Sequence, residues 1–260
     1  MDKLPISVII IASNEAHNLP RALASVKEWA GEIVAVINDC HDDTAQILEA
    51  AGAQVYQYDW QGFVVQKNRA LAHASMPWVF NLDADEEVTP KMLRDIEQLV
   101  SHASGYSAAS FCRKTWFLGR WIKYGDWYPD RVTRLFKRDQ GQYAGNYLHE
   151  RLEITGKTCK FNSNLLHYSF PNLYVFLAKL GSFTRNFEKA NQQKKFSPLA
   201  SLFRAWWKFF RCYVIKRGFL DGFPGLLIAV HQGYSTFFKY SILLDRKTRQ
   251  IQPTVEVEDN

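Results

Sequence analysis

Val79-Phe80-Asn81-Leu82-Asp83-Ala84-Asp85-Glu86-Glu87 opens on apolar residues and closes with four acids in five positions. The apolar run is too short for a helix of its own and reads as a buried strand. On an extended chain, side chains at i and i+2 share a face, so Asp83 and Asp85 can converge at the strand's end. Two carboxylates that close repel unless something positive lies between them. A hard divalent cation that keeps waters and also binds phosphate suits such a pair. A bare Asp-x-Asp is also met as a solvated acidic turn, so its meaning depends on its surroundings.

Upstream, Ser7-Val8-Ile9-Ile10-Ile11-Ala12 and Glu32-Ile33-Val34-Ala35-Val36-Ile37 are continuous β-branched runs, as expected of central parallel strands. Between them lies a helical pattern of Leu19, Leu23 and Val26, with Pro20 near its start and Gly31 expected to close it. The polar loop Asn38 to Thr44 leads to a helix ending at Gly52, and residues 53–58 read as a third strand. A helix carrying Gln66-Lys67-Asn68-Arg69-Ala70-Leu71 precedes the strand that ends in Asp83. This alternation predicts an α/β fold with a mostly parallel sheet flanked by helices. In such sheets ligands gather at the carboxyl ends of the strands, where Asn14, Asp39 and Asp83 all fall.

Thr89-Pro90 begins a further helix, to about Val100. Short strands are then expected at 107–111, 115–118, 131–137 and 152–154. Among them, Gly119 to Pro129 is rich in Gly and Trp. Its aromatic faces suit sugar stacking, or equally a loop folded back on its own core.

The chain of 260 residues carries a net charge of +6 with an uneven distribution. Arg185 to Arg249 hold 13 Lys/Arg against 3 Asp/Glu, a local balance of +10, so the remainder carries −4. An acidic body and a basic C-terminal region facing an anionic surface are expected. Arg204, Lys208 and Arg211 fall on one helical stripe beside Trp206 and Trp207, the profile of a helix lying in a membrane interface. The alternative is a pair of helices packed as ordinary core. The uncharged stretch Gly222 to Phe238 contains Pro224 and three glycines. It reads as too short and broken to span a bilayer, and so as a monotopic dip or an amphipathic second helix. Cys40, Cys112, Cys159 and Cys212 have neither C-x-x-C nor zinc spacing, which fits a reducing, cytoplasmic setting. The first residues lack a signal-peptide pattern.

These pieces together resemble glycosyltransferase family 2 of the GT-A fold and, more narrowly, are similar to bacterial lipopolysaccharide-core β-glucosyltransferases and related lipooligosaccharide enzymes. The resemblance rests on Ser7 to Glu15, Asn38 to Thr44, Gly62-x-x-x-Gln66-Lys67-Asn68-x-Ala70-Leu71, Leu82 to Glu86, Trp127-Tyr128-Pro129-Asp130 with Arg134-Leu135-Phe136, His149-Glu150, and Leu166-His167-Tyr168. It implies Mn²⁺ or Mg²⁺ held by Asp85, Asp83 and His167. It implies a nucleotide-sugar donor, UDP-glucose, bound by Ala12, Asn14, Glu15, Asp39, Gln66, Lys67, Asp83 and Arg134. Glu150 would be the catalytic base, with Trp127, Asp130 and His149 on the acceptor side. One departure stands out. Many relatives carry Asp-Ser-Gly-Ser-Thr-Asp-Gly-Thr after the second strand, and counting back from Thr44 puts Ile37 where the first Asp would be. Either Asp39 substitutes by a local shift or the base is met by backbone.

The implied protein is an inverting transferase, peripheral at the cytoplasmic face of the inner membrane of a Gram-negative-type bacterium. Its implied acceptor is a lipid-linked oligosaccharide, the lipopolysaccharide inner core, at a heptose. No nucleic-acid partner is expected. Residues 1–185 would form the catalytic domain, with a nucleotide-sugar half (1–100) and an acceptor half (101–185). Residues 186–250 would associate with the anionic membrane through Arg204, Trp206, Trp207, Lys208 and Arg211, and 251–260 would be a flexible tail. The rivals are a polyprenyl-phosphate glycosyltransferase and a non-catalytic membrane adaptor on the same fold. A nucleotidyltransferase is disfavoured because no Gly-rich phosphate loop is seen near the N-terminus.

Overall fold

The structure is a computed structural model that describes residues 3–102, 105–146, 149–177 and 197–248. The expected domain boundary at 185/186 and the expected tail at 251–260 lie outside the described residues. Two compact units are present: Met1–Trp116 with Tyr128–Ser169, and Phe117–Trp127 with Phe170–Asn260.

The first unit begins β1 (Leu4–Ala12), α1 (Leu19–Ala24), β2 (Ala30–Ile37), α2 (Thr44–Ala50), β3 (Gln54–Gln57), α3 (Phe63–His73), β4 (Trp78–Asn81). Strands β3, β2, β1 and β4 pair in parallel, in that order. Alternate residues of β1 serve opposite faces. Val8 and Ile10 join a core with Leu19, Leu23, Phe80 and Ile96, whereas Ile9 packs with Val34, Val36, Ala70 and Phe136. Burial on both faces explains the unbroken apolar runs.

Gly31 does not close α1, as the sequence suggested. It lies inside β2, where a Cβ would sit 2.7 Å from the Leu4 carbonyl oxygen. The close approach of β1 requires the glycine, and α1 has already ended at Ala24.

The chain continues with β5 (Glu86–Val88), α4 (Pro90–Ser101) and β6 (Ala108–Phe117), and β7 (Arg120–Trp121) follows. Then come β8 (Asp130–Lys137), β9 (Gly141–Asn146), β10 (His149–Ile154) and β11 (Thr158–His167). β8 inserts antiparallel between β4 and β6, and β11 runs parallel to β6 and antiparallel to β5. β9 and β10 form a separate antiparallel hairpin. The expected pieces 107–111 and 115–118 are one strand, and β5, β7, β9 and β11 were not foreseen. β5 is only three residues long and acidic, so no local pattern marks it as a strand. The fold is mixed α/β, with a mostly parallel central sheet flanked by helices.

The second unit contains α5 (Pro198–Phe210), a π-helical turn at Arg211–Ile215, a 3₁₀ turn at Gly218–Asp221 and α6 (Gly222–Thr248). Of the two readings of Gly222 to Phe238, the second helix is the one found, as part of one continuous 27-residue helix without a break at Pro224. Pro224 sits in its first turn, where no intrahelical donor is needed. Gly233 lets the helices approach, since a Cβ there would be 3.1 Å from the Ala205 carbonyl. No helix among the described residues is long and apolar enough to cross a membrane.

Glu32 ties the start of the parallel sheet together. Its carboxylate accepts from Ser7 Oγ (2.5 Å), Ser75 N (2.6 Å) and Ser75 Oγ (2.8 Å). Burial pushes its carboxyl up, but the Ser7 hydroxyl and the Ser75 amide and hydroxyl outweigh burial and hold it below its ordinary 4.5. A lowered folded pKa contributes stability above the unfolded value and loses it as pH falls through the folded one. Glu32→Gln is therefore expected to cost about 1–2 kcal/mol in urea unfolding at neutral pH. The gap to the parent chain should close as pH drops below 4.5. A gap that stays constant down to strongly acidic pH would refute this account.

Candidate active site

The carboxyl ends of β1, β2 and β4 lie side by side, and the polar residues that follow them are laced together. Asn14 and Asp39 both adopt left-handed backbone, with φ of 56° and 43°, which Asn and Asp tolerate better than most side chains. Asn14 Oδ1 accepts from His41 N (2.8 Å) and its Nδ2 donates to the Asp39 carbonyl (3.4 Å). Glu15 N donates to Thr44 Oγ1 (2.8 Å), and Glu15 Oε2 accepts from Asn18 Nδ2 (2.8 Å). Asn14 and Glu15 thus join the first loop to the second. Ala12 is buried. Asp39, 80% exposed, lies 3.3 Å from His41 Nε2. It opens onto a cleft of about 550 Å³ with Asn38, Gln57, Tyr58, Asp59 and Trp60. Gln66 is buried behind that cleft, donating to the Asp59 carbonyl (3.3 Å) and accepting from Arg69 Nη1 (2.8 Å).

The acidic stretch after β4 encloses a guanidinium. Arg134, buried on β8, donates Nη2 to Asp83 Oδ2 and to Glu86 Oε1 (2.6 Å). Lys67 Nζ lies 3.7 Å from Asp83 Oδ1. Burial alone would raise the Asp83 carboxyl; Arg134, then Lys67, override it and hold it well below the usual carboxylate range. Glu86, fully buried, is pushed up chiefly by that burial, against the pull of Arg134. Burial would lower the Arg134 guanidinium, but Asp83 and then Glu86 raise it further, so it stays charged.

Asp85 meets His167 because β11 runs back along β5, with His167 opposite Glu86. His167 Nε2 is 3.3 Å from Asp85 Oδ2, and its Nδ1 lies 3.2 Å from Thr115 Oγ1. Just beyond β11, Tyr168 N donates to the Asp85 carbonyl (2.9 Å), and its hydroxyl donates to Glu87 Oε2 (2.8 Å). Burial and the Glu87 bond push its phenol up to about 12, and the Arg21 guanidinium stacks 3.5 Å above its ring. Among the described residues, no three His, Cys, Asp or Glu side chains are grouped to hold a metal ion. The expected trio is divided: Asp85 and His167 are together, while Asp83 is turned to cations. One imidazole on a paired strand and one carboxylate on a turn whose backbone bonds Tyr168 fit a divalent ion that draws its other ligands from phosphate and water.

Glu150, on β10, accepts from Lys67 Nζ at 2.8 Å. The nearly buried Lys67 therefore lies between Asp83 and Glu150. Arg151, the obvious sequence-adjacent partner, pairs with Glu153 instead. Beside this bridge is a cavity of about 260 Å³ whose walls include Lys67, Arg134, Tyr143 and Glu150. Asp130 is held by Arg113 through two hydrogen bonds (2.7 and 2.9 Å). His149 opens β10. Trp127 belongs to the second unit, stacked on Phe170 (5.2 Å) and edge-on to Phe117 (5.3 Å), so it packs within its own unit. Glu86, Arg113 and Tyr143 were missed from sequence. A glutamate following an Asp-x-Asp has no local mark of burial.

Charged groups collected at the carboxyl ends of a parallel half-sheet lie where α/β folds bind their ligands. Residues 7–157 match Glycosyl transferase family 2, more than half of the chain, and the protein belongs to that family. It is similar to an uncharacterized glycosyltransferase of Rickettsia prowazekii (strain Madrid E), 28% identical over 92% of this chain and 87% of the relative. The lipopolysaccharide core biosynthesis glycosyltransferase LpsC of Rhizobium meliloti (strain 1021) is 30% identical over 173 residues, 64% of each chain. Among solved structures, glucosyl-3-phosphoglycerate synthase from Mycobacterium tuberculosis with Mn²⁺, UDP and glucosyl-3-phosphoglycerate superposes with TM-score 0.49 at 16% identity. That match covers 68% of this chain and 75% of the other. Residues 1–349 of S. aureus TarS with UDP-GlcNAc superpose with TM-score 0.46 at 13% identity, over 95% and 92% of the two chains. Family membership implies a nucleotide-sugar donor and a glycan acceptor.

Removing Arg134 would leave Asp83 and Glu86 facing each other in a buried space. Arg134→Leu is expected to cost about 3–5 kcal/mol, as for other broken buried ion pairs. Adding Glu86→Gln should recover part of that loss, because the two changes share one contact. Urea unfolding of the three variants checks this, and strictly additive losses would contradict it.

Proposed function

We propose that this glycosyltransferase moves glucose from UDP-glucose to a heptose of the lipopolysaccharide inner core, with inversion. It would act at the cytoplasmic face of the inner membrane of a Gram-negative-type bacterium. The similarity to LpsC supports the choice of acceptor class. The observation that carries the mechanism is Lys67, held between Asp83 at 3.7 Å and Glu150 at 2.8 Å beside the cavity. A cation there can meet the donor diphosphate while orienting the base.

In this reading the uridine occupies the cleft bordered by Asp39, Asp59 and Tyr58. Here Asp39 takes the place of the aspartate that Ile37 replaces. Lys67 and Arg134 stabilise charge that builds on the leaving diphosphate. Asp85 and His167 would hold Mn²⁺ or Mg²⁺, which when bound supplies Lewis-acid neutralisation of the diphosphate. Asp83 is a positioning residue, fixing Arg134 and Lys67. The acceptor hydroxyl oxygen bonds to the anomeric carbon as the bond from that carbon to the diphosphate oxygen breaks. UDP leaves with the electron pair, and the hydroxyl proton passes to the Glu150 carboxylate.

UDP release with a panel of donors on lipopolysaccharide lacking the added sugar tests the reading. Glu150→Gln is expected to lower turnover by roughly 10²-fold or more while leaving UDP affinity within a few-fold. A fully active Glu150→Gln chain would instead indicate a phosphate acceptor such as polyprenyl phosphate, which needs no base. Activity undiminished by a chelator would rule out the metal assignment.

A further inference from the structure

Seventeen of the twenty large apolar side chains exposed among the described residues belong to the second unit, so its outer surface is not that of an ordinary globular module. On α5, Leu199, Leu202, Phe203 and Trp206 form one stripe at helical spacing, all exposed, with Phe203 at 63% and Trp206 at 55%. Trp206 stacks on Phe210 (5.3 Å) and lies 5.9 Å from Phe203 and 6.5 Å from Trp207. The opposite side of α5, including Ser201, Ala205 and Phe209, packs inward against α6. The helix is thus apolar on both faces. Beyond its end, Val214, Ile215, Phe219, Leu220 and Phe223 are exposed as well.

The cations expected to make a charged stripe are used elsewhere. Lys208 and Arg211 both bond the carboxylate of Asp126, each at 2.8 Å, and Lys216 reaches it at 3.0 Å. Asp126 is only 6% exposed. Asp221 is buried too, accepting from the backbone N–H of Lys123 (2.9 Å) and Tyr124 (2.8 Å). Both of these acids are turned inward, while Arg204, Lys123 and Arg217 remain exposed.

We infer that the second unit attaches to the surface of an anionic lipid bilayer by inserting the aromatic face of α5, with Phe203 and Trp206 at its centre, rather than by a stripe of cations. Exposed Trp and Phe beside outward Arg and Lys is the composition of an interfacial helix. The exposed Arg204, Lys123 and Arg217 oppose the main rival, a second copy of the same chain, because a self-complementary contact would bring like charges together. The inference does not depend on the acceptor assigned above.

Flotation of the full chain with vesicles tests it. The parent chain should float with phosphatidylcholine–phosphatidylglycerol vesicles and, more weakly, with pure phosphatidylcholine. Phe203→Ser with Trp206→Ser should lower the partition coefficient at least about tenfold, with an unchanged melting profile and unchanged UDP affinity. Should that variant fail to fold, the parent chain answers alone: its tryptophan fluorescence should be quenched by lipids brominated on their acyl chains. Absence of quenching, or of flotation with either vesicle, would overturn the inference. So would a folded double variant that floats like the parent. Light scattering that shows a parent dimer and a monomeric double variant would assign the face to a second copy.

Discussion

Arg134 sits between Asp83 and Glu86, and the chemistry of the first unit is organised around that contact. The guanidinium enters from β8, the strand inserted antiparallel between β4 and β6. Its two partners are Asp83, between β4 and β5, and Glu86, the first residue of β5. Arg134 and Glu86 are thereby buried, and Asp83 partly covered, at the carboxyl edge of the parallel strands. None is tolerable there alone, because an isolated buried charge costs far more than a hydrogen bond returns. The requirement is mutual, and it holds the acidic turn in one conformation. With that turn held, β5 can meet β11, and Asp85 can meet His167.

The second unit contains a similar arrangement with a different outcome. There one carboxylate, Asp126, gathers Lys208, Arg211 and Lys216. Helical spacing says that 204, 208 and 211 share a face; it does not say what that face meets. A buried acid from a distant loop takes two of the three cations. What remains outward on α5 is Arg204 among leucines and aromatics, and the character of the surface changes from mainly electrostatic to mainly apolar.

Much of the fold was legible because burial on both faces of a parallel sheet leaves a strong local mark. β1, β2 and β4 are runs of Val, Ile and Phe, and α3 and α4 follow with helical spacing. β5 carries no such mark, since its pairing partner β11 lies far along the chain and sets its conformation, and β9, though paired with its neighbour β10, is Gly141 to Asn146 with no apolar run. The same division runs through the site. Asp83, Asp85, Glu150 and His167 stood out as carboxylates and a histidine in an ordered series of motifs. Glu86 and Tyr143 did not, because their importance comes from burial beside Arg134. Gly31 was misread as a helix stop because close approach of two strands and a helix end call for the same residue.

By itself the sequence determined the kind of fold, the strand ends at which charge collects, and the membership in one transferase family that its motifs suggested. Those depend on periodicity and local composition, which every residue shares with its neighbours in the chain. Only the tertiary structure decided which charges pair: Lys67 with Glu150 rather than Arg151 with Glu150, Asp83 with Arg134, Lys208 and Arg211 with Asp126. Charge pairing acts over a few ångströms and is indifferent to separation along the chain. The packing of the sheet and of the helices therefore chooses the partners, and with them what each surface is left to do.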